Sequence, residues 1–392
     1  MFRAHKIRLH PTSVQANYFA RAAGTARFVW NWALAEWERQ YAAGEKPTAL
    51  KLKKQFNEIR RTQFPWTWDV TKNASDQPFL DLGKAFTDFF EGLKTGKRKG
   101  RPKFKSKKSS KPSFYLANDQ FELGDLKIWI PKLGWVNMAE NLRFKGKIKG
   151  ARITKTADWW FVSLTVELAD EKPHKRTPAV GIDVGLRRLA TLSTSEGYEN
   201  QAFLRTALRK LRQANKRLHR RVKGSKNREK ARRQVARLHY RITCLRDDVL
   251  HKLTTRIADC YGIVGIEDLN MKGLLKNRKL ALSFSDAALG KLLNLLTSKV
   301  EQRGGLVIKI NRFFPSTKSC HCCGWKWEDM ELSERIFSCQ NRNCPYALFP
   351  QDRDHNAAQN ILSEALRLIG LIDQAVNGIG SDVDENSAVD LT

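Results

Sequence analysis

Long apolar runs are missing from these 392 residues: no uninterrupted stretch reaches the length of a membrane span, and the opening MFRAHKIRLHP lacks the apolar core of a secretory signal. The expectation is an intracellular chain with no membrane partner. Cysteine is scarce, seven in all, and in a reducing compartment those seven read as thiols or metal ligands rather than disulfides. Acidic residues are heavily outnumbered, 40 Asp and Glu standing against 71 Lys and Arg for a formal net charge of +31. That excludes an ordinary neutral metabolic enzyme and calls for a polyanion, because Lys and Arg gain affinity from phosphates by releasing condensed counterions. A membrane-surface protein would concentrate its charge beside an apolar helix face or a lipidation signal, so nucleic acid is the partner the composition favours. No internal repeat is present. With 41% hydrophobic and 10% aromatic residues, the chain holds enough apolar matter for two or three packed domains, which excludes wholesale disorder.

Met1 to His10 alternates, Phe2, Ala4, Lys6 and Arg8 opposing Arg3, His5, Ile7 and Leu9, and stops at Pro11, as a short strand would. Ser13 is placed to cap a helix running through Phe19, Ala23, Phe28, Trp30, Leu34 and Trp37. A second apolar stripe recurs through Leu80, Leu82, Ala85, Phe86, Phe89, Phe90 and Leu93. Aromatics at helical spacing are what burial demands, so a packed helical core is expected here. The run GKRKGRPKFKSKKSSK, Gly96 to Lys111, marks a basic surface linker. Short strands are then expected at Phe114–Leu116, Leu126–Ile130, Leu142–Ile148, Ile153–Thr156 and Trp159–Leu168, at the intervals of a small antiparallel barrel. The helical region is therefore inserted after a first strand. A polar connector, Lys172 to Pro178, leads to the strand AVGIDVG, and a second, IVGIE, follows some eighty residues later.

Between them Leu204, Leu208, Leu211, Leu218 and Val222, then Val235, Leu238, Ile242 and Leu245, recur at helical spacing, with a break at Gly224-Ser225. Two antiparallel helices are expected. Arg205 to Arg246 carries seventeen Lys or Arg and one acid, Glu229. A solvated helix mixes signs, since like charges at i,i+4 repel, so this hairpin is read as a phosphate-binding surface. Arg209, Arg212, Lys216, Arg220, Arg232 and Arg237 are its candidate contacts.

Cys320 and Cys323 are spaced C-x2-C; after fifteen intervening residues, Cys339 and Cys344 are spaced C-x4-C. Two such turns present four sulfurs to one tetrahedral Zn²⁺. Cys322 lies between two ligands and is expected to point away, while Cys244 and Cys260 fall within helical patterns and are expected to be buried. Asp183 interrupts AVGIDVG, where a buried charge is costly without compensation. Glu267 ends IVGIE, and Asp354 in DRDHNAAQNIL precedes a helix of small and apolar residues. Singly, each acid has a plainer role: Asp183 as a turn cap, Glu267 as the partner of an Arg, Asp354 as a helix N-cap. Jointly they imply a divalent cation, and two Mg²⁺ ions about 4 Å apart at such a site support phosphodiester hydrolysis.

In motif order the chain resembles TnpB, the family of RNA-guided nucleases of insertion sequences, related to type V CRISPR effectors. GIDVG, GIEDLNMKG and DRDHNAAQNI are similar to the three RuvC motifs, FFPSTKSCHCCG to the approach to the zinc ribbon, and NRKLALSFSDAALG to the segment after the second motif. The strong similarity spans about Val180 to Leu366; the C-x4-C knuckle and Pro350-Gln351 before Asp352 depart from the commoner pattern. The resemblance implies a mixed α/β and β multidomain protein. An RNase H-like RuvC nuclease domain (179–317 and 350–369, with the basic hairpin at 203–259) would carry an inserted zinc ribbon (318–349). A β-barrel wedge domain (1–10 and 95–178) would carry an inserted helical recognition domain (11–94). It further implies Asp183, Glu267 and Asp354 as magnesium-binding catalytic acids and Cys320, Cys323, Cys339 and Cys344 as zinc ligands. The partners would be a guide RNA from the protein's own element and a double-stranded DNA target beside a short duplex motif, with Lys72 and Gln77 as candidate readers. A monomeric ribonucleoprotein in the prokaryotic cytoplasm, on the nucleoid when target-bound, is expected. The other functions compatible with such a chain are a non-cleaving RNA-guided repressor and a guide-independent transposition accessory protein. The stretch 370–392, with five acids and no Lys or Arg, is expected to be a disordered tail.

Overall fold

The structure is a computed structural model that describes residues 1–96, 100–169, 178–331 and 333–381, of which 371–381 as backbone only. Part of the basic linker (97–99) and most of the polar connector (172–177) thus lie outside the described residues. The chain divides into two units, Met1–Asp170 and Glu171–Thr392.

In the first unit, strand β1 (Phe2–His10) is followed by three helices, α1 (Ser13–Ala42), α2 (Ala49–Gln63) and α3 (Asn73–Lys94). Six strands then follow: β2 (Ser113–Ala117), β3 (Glu122–Gly124), β4 (Lys127–Ile130), β5 (Gly134–Met138), β6 (Lys147–Thr156) and β7 (Trp159–Glu167). They form one antiparallel sheet in the order β2-β6-β7-β1-β5-β4-β3. Its two edges, β2 and β3, are not paired with each other among the described residues, so the ladder stops short of a closed barrel. The alternation of β1 holds: His5, Ile7 and Leu9 are buried. Leu142 to Gly146, expected to be strand, is loop, and the two expected strands on either side of Gly150 are one, β6. The glycine sits at a register shift between Ile148 and Gly150, where a Cβ would lie 2.0 Å from the Tyr115 hydroxyl. It marks a bulge with a close approach and not a strand end.

Most aromatics of the helical region pack as a core, Trp30, Trp37, Phe56, Phe79 and Phe86 all being buried, with the Trp37 and Phe86 rings stacked at 4.2 Å, while Leu80, Phe90 and Leu93 of the second stripe are exposed. Helix α1 is capped by Thr12, not Ser13: Thr12 and Gln15 form a reciprocal capping box.

The second unit is built on a five-stranded mixed sheet. Its strands are β8 (Ala179–Asp183), β9 (Arg188–Leu192) and β10 (Gly197–Glu199), then, after helices α4 (Phe203–His219) and α5 (Lys226–Cys260), β11 (Ile263–Glu267). Helices α6 (Met271–Lys276), α7 (Ala281–Ala287) and α8 (Leu289–Gln302) precede β12 (Leu306–Ile310). A two-stranded ladder of β13 (Ile336–Phe337) and β14 (Gln351–Asp352) leads into α9 (Arg353–Ser381). The order is β10-β9-β8-β11-β12, with β8, β11 and β12 parallel, as befits an RNase H-like sheet with flanking helices. Helix α9 continues through Gly370 to Ser381, where a tail was expected to begin; Gly370, Gly378 and Gly380 each weaken a helix by about 1 kcal/mol, but no proline breaks it there. Residues 382–392 lie outside the described ones.

Side chains alternate across the sheet. Val180, Ile182, Val264 and Ile266 face a core with Leu250, Leu253 and Ile257 of α5 and Leu292, Leu296 and Val300 of α8. Gly181 and Gly265 face α9. A Cβ on Gly181 would lie 2.1 Å from the Ala358 carbonyl oxygen and 2.5 Å from the Leu362 nitrogen, and one on Gly265 would lie 2.8 Å from the Ala365 methyl. The two glycines admit α9 to the sheet at a distance no side chain would allow.

Candidate active site and thiol cluster

Each of the two glycines lies two residues before an acid, so glycine and acid share a face of the sheet. Asp183 ends β8 and Glu267 ends β11, and the parallel register Ile182↔Ile266 sets the two carboxylates on neighbouring strand ends. Asp354 arrives in the first turn of α9, the helix those glycines admit. The three sequence-selected acids are therefore brought to one rim of the sheet from three separate elements. Asp183 is half-buried but densely surrounded. Loss of solvation, then the charges of Glu267 and Asp354, raise its carboxyl to about 8 against the opposing pull of Arg353. Arg353 also reaches Asp354 at 3.4 Å.

The plainer roles fall to neighbours. Asp352, not Asp354, caps α9, accepting the Asp354 and His355 amides at 2.9 and 3.1 Å while pairing with Arg188 at 3.0 Å. Arg312 pairs with Asp268, the residue after Glu267. The Glu267 carboxylate instead accepts the hydroxyl of Ser316 at 2.5 Å. Sequence reasoning passed over Ser316, as well as the polar residues of α9. Asn356 and Asn360 donate to the carbonyls of Ser319 and Ser316, both at 2.7 Å, and His355 meets Ser195 at 3.0 Å. The signal was present in DRDHNAAQN as polar residues recurring every four positions among small ones.

The four selected cysteines converge, their sulfurs lying within 4.8 Å of one another. Cys320 and Cys344 are 3.8 Å apart and Cys323 and Cys339 3.5 Å, well beyond a disulfide bond. Burial pushes Cys339 up to about 12, whereas at Cys323 burial is outweighed by the Trp325 amide and the Asn341 side chain, which bring it down to about 7. Cys344 closes the group in spite of its wider knuckle. Cys322 is exposed, as expected; Cys244 and Cys260, expected to be buried, are exposed too. Helix α5 buries Ile242, Leu250, Leu253, Ile257 and Ala258, and the two thiols lie off that stripe.

Gly224-Ser225 does separate α4 from α5, Gly224 in a left-handed conformation (φ 88°) and Ser225 capping α5 at the Arg228 amide. Arg209, Arg212, Lys216, Arg220, Arg232 and Arg237 are all exposed along the hairpin, with Arg232 paired to Glu229 at 2.7 Å. The root of the hairpin is held by a residue whose role had gone unread, the buried Asp286 of α7. It accepts the Leu204 and Arg205 amides at 2.9 and 3.0 Å and binds Arg246 at 3.1 Å. In the first unit, Lys72 is exposed at the start of α3, and Gln77 donates to Asp81 while lining a cleft of about 190 Å³ with Arg27, Lys105 and Arg152. Among the described residues, no helix is long and apolar enough to cross a membrane.

Comparison with known proteins agrees with this geometry. Residues 163–278 match a family model described as "Probable transposase", and 290–361 one described as "Cas12f1-like, TNB domain". Residues 1–46 match a "Helix-turn-helix domain", although here they form β1 and the single long helix α1. A solved Cas12f1–sgRNA–target DNA complex shares the fold, with a TM-score of 0.57 at 16% identity, over 89% of this chain and 83% of that one. A mimivirus TnpB-like protein, L79, is 27% identical over 50% of this chain and 38% of its own length. InsQ of Escherichia coli K12, named as a "Putative RNA-guided DNA endonuclease", is 29% identical over 92% of each chain. A Streptomyces pristinaespiralis protein of the same designation is 36% identical over 93% of this chain and 89% of its own length. With three acids on one rim of an RNase H-like sheet, a four-thiol module between the second and third of them, and relatives aligned along nearly their whole length, the chain belongs to the TnpB family.

Proposed function

We propose that this chain is an RNA-guided DNA endonuclease of an insertion sequence, hydrolysing target DNA beside a short duplex motif at one site made of Asp183, Glu267 and Asp354. The observation that carries this reading is the convergence of those acids at the ends of β8 and β11 and the start of α9, where burial first and then the charges of Glu267 and Asp354 raise Asp183 to about 8. Three hard carboxylate donors on one rim of the sheet suit Mg²⁺, and four clustered thiols suit a structural Zn²⁺. When bound, a pair of Mg²⁺ ions lowers the pKa of an attacking water and balances charge on the scissile phosphate and leaving oxygen. The three acids would hold the ions, and Arg353 offsets part of their mutual repulsion. Arg209, Arg212, Lys216, Arg220, Arg232 and Arg237 hold nucleic-acid backbone by shape and charge while base pairing supplies sequence. Lys72 and Gln77 contribute to reading the duplex motif. The particle is a monomer bound to an RNA from its own element and acts on the nucleoid.

The test begins with the RNA that co-purifies when the protein is expressed with its native flanking DNA. A discrete species with a constant structured part and a terminal guide is expected; heterogeneous cellular RNA would overturn guidance. With that RNA, Asp183→Ala is expected to abolish cleavage of a matched duplex while RNA and target binding stay near wild type. Retained cleavage would remove the catalytic assignment.

A further inference from the structure

We infer that Ser316 is the positioning residue for Glu267, and that through it the thiol-bearing module sets the geometry of the acid site. The inference rests on the reading of the three acids as a Mg²⁺ site. Ser316 is 3% exposed, and its hydroxyl donates to Glu267 Oε1 at 2.5 Å. A glutamate at a strand end has three side-chain torsions, and a metal ligand free to change rotamer binds weakly; one short hydrogen bond to a buried donor fixes its orientation.

The donor is itself held on both sides. The Ser316 amide donates to the Phe314 carbonyl at 2.8 Å, and its own carbonyl accepts Asn360 Nδ2 at 2.7 Å. The same Asn360 nitrogen reaches the Ser319 carbonyl at 2.7 Å, an acceptor shared with Asn356 Nδ2 at 2.7 Å. Asn356 Oδ1 in turn accepts the amide of His321, the neighbour of the clustered thiol Cys320, at 3.0 Å. A connected series of hydrogen bonds thus runs from beside Cys320 to Glu267. Asn356 and Asn360, 0% and 7% exposed, both project from α9, the helix that bears Asp354. The segment from Ser316 to His321 touches one acid directly and is fastened to the helix that carries another. A serine serving only to complete its turn would leave its hydroxyl to a local backbone carbonyl; this one is directed onto the carboxylate of a different element, 49 residues away in sequence.

The experiment uses the full chain, freed of nucleic acid, with Mn²⁺ as the probe and its binding followed by electron paramagnetic resonance. Zinc content and thermal melting are measured alongside. Wild type is expected to bind Mn²⁺ at a saturable site that Glu267→Gln weakens. Ser316→Ala is expected to weaken that site about 10-fold, with zinc content and melting retained, and Ser316→Thr to restore it. In the Glu267→Gln background, Ser316→Ala is expected to add nothing further. Unchanged Mn²⁺ affinity in Ser316→Ala, an equal loss in both backgrounds, a threonine variant no better than alanine, or loss of zinc or fold each overturns the inference and leaves the acid site standing. A wild-type chain with no Mn²⁺ site sensitive to Glu267→Gln takes down the acid-site reading and this inference with it.

Discussion

Strands β8 and β11 are near-copies, AVGID and IVGIE, with the same burial pattern and an acid at the same end, yet the protein treats them differently. At β8, a built Cβ would lie 2.1 Å from a helix carbonyl oxygen; at β11, it would meet the Ala365 methyl at 2.8 Å and the Ile361 carbonyl oxygen only at 3.1 Å. Asp183 is set by crowding, its carboxyl raised by burial and by the other two acids, whereas Glu267 is set by a directed hydrogen bond from Ser316. Equivalent sequence therefore serves two ends: both strands admit α9, β8 the more tightly, and β11 also receives the loop that leaves β12.

The largest difference is expected from alanine at the two glycines. Gly181→Ala drives a methyl into helix backbone, which has nowhere to go without moving Asp354. A loss of about 3 kcal/mol or more is expected in urea unfolding, with cleavage lost alongside. Next comes charge. Because the Asp183 carboxyl is raised from 3.8 to about 8, the folded chain holds a proton that the unfolded chain releases. The contribution of this one group to the metal-free fold is then fully present below about pH 4 and is lost as pH climbs toward 8. Asp183→Asn is expected to flatten that fall in melting temperature; a pH profile identical to wild type would show that the crowding is harmless. The smallest effect belongs to Gly265→Ala, about 1–2 kcal/mol by the same measurement, where the Ala365 methyl at 2.8 Å and the Ile361 carbonyl oxygen at 3.1 Å need give only slightly. Equal losses at Gly181 and Gly265 would erase the distinction between the two strands.

What the sequence disclosed follows from how far apart its parts act. The thiol cluster was legible from spacing, because each pair of ligands lies within one turn and chemistry supplies the rest. The acids were legible as anomalies, charges where apolar strand should continue, and the basic hairpin from its periodicity and one-signed charge. Residues whose roles exist only in the folded chain were not legible. Ser316 and Glu267 meet across 49 positions, and Asp286 finds the α4 amides across 82. No local pattern announces either. The span 149–152, left between two expected strands, is in fact mid-strand, with Tyr115 against Gly150, which the ladder alone reveals.

Asp286 stands at the root of a long arm. From Arg246, which it binds, α5 runs back to Lys226 over roughly 30 Å at helical rise. A tilt of about 5° at that root sweeps the far end through roughly 3 Å, the length of a hydrogen bond to phosphate. Arg220 and Lys223, exposed near that end, are therefore aimed from a distance. One buried carboxylate, far from the exposed cations in sequence, thus sets the direction in which the whole basic arm points.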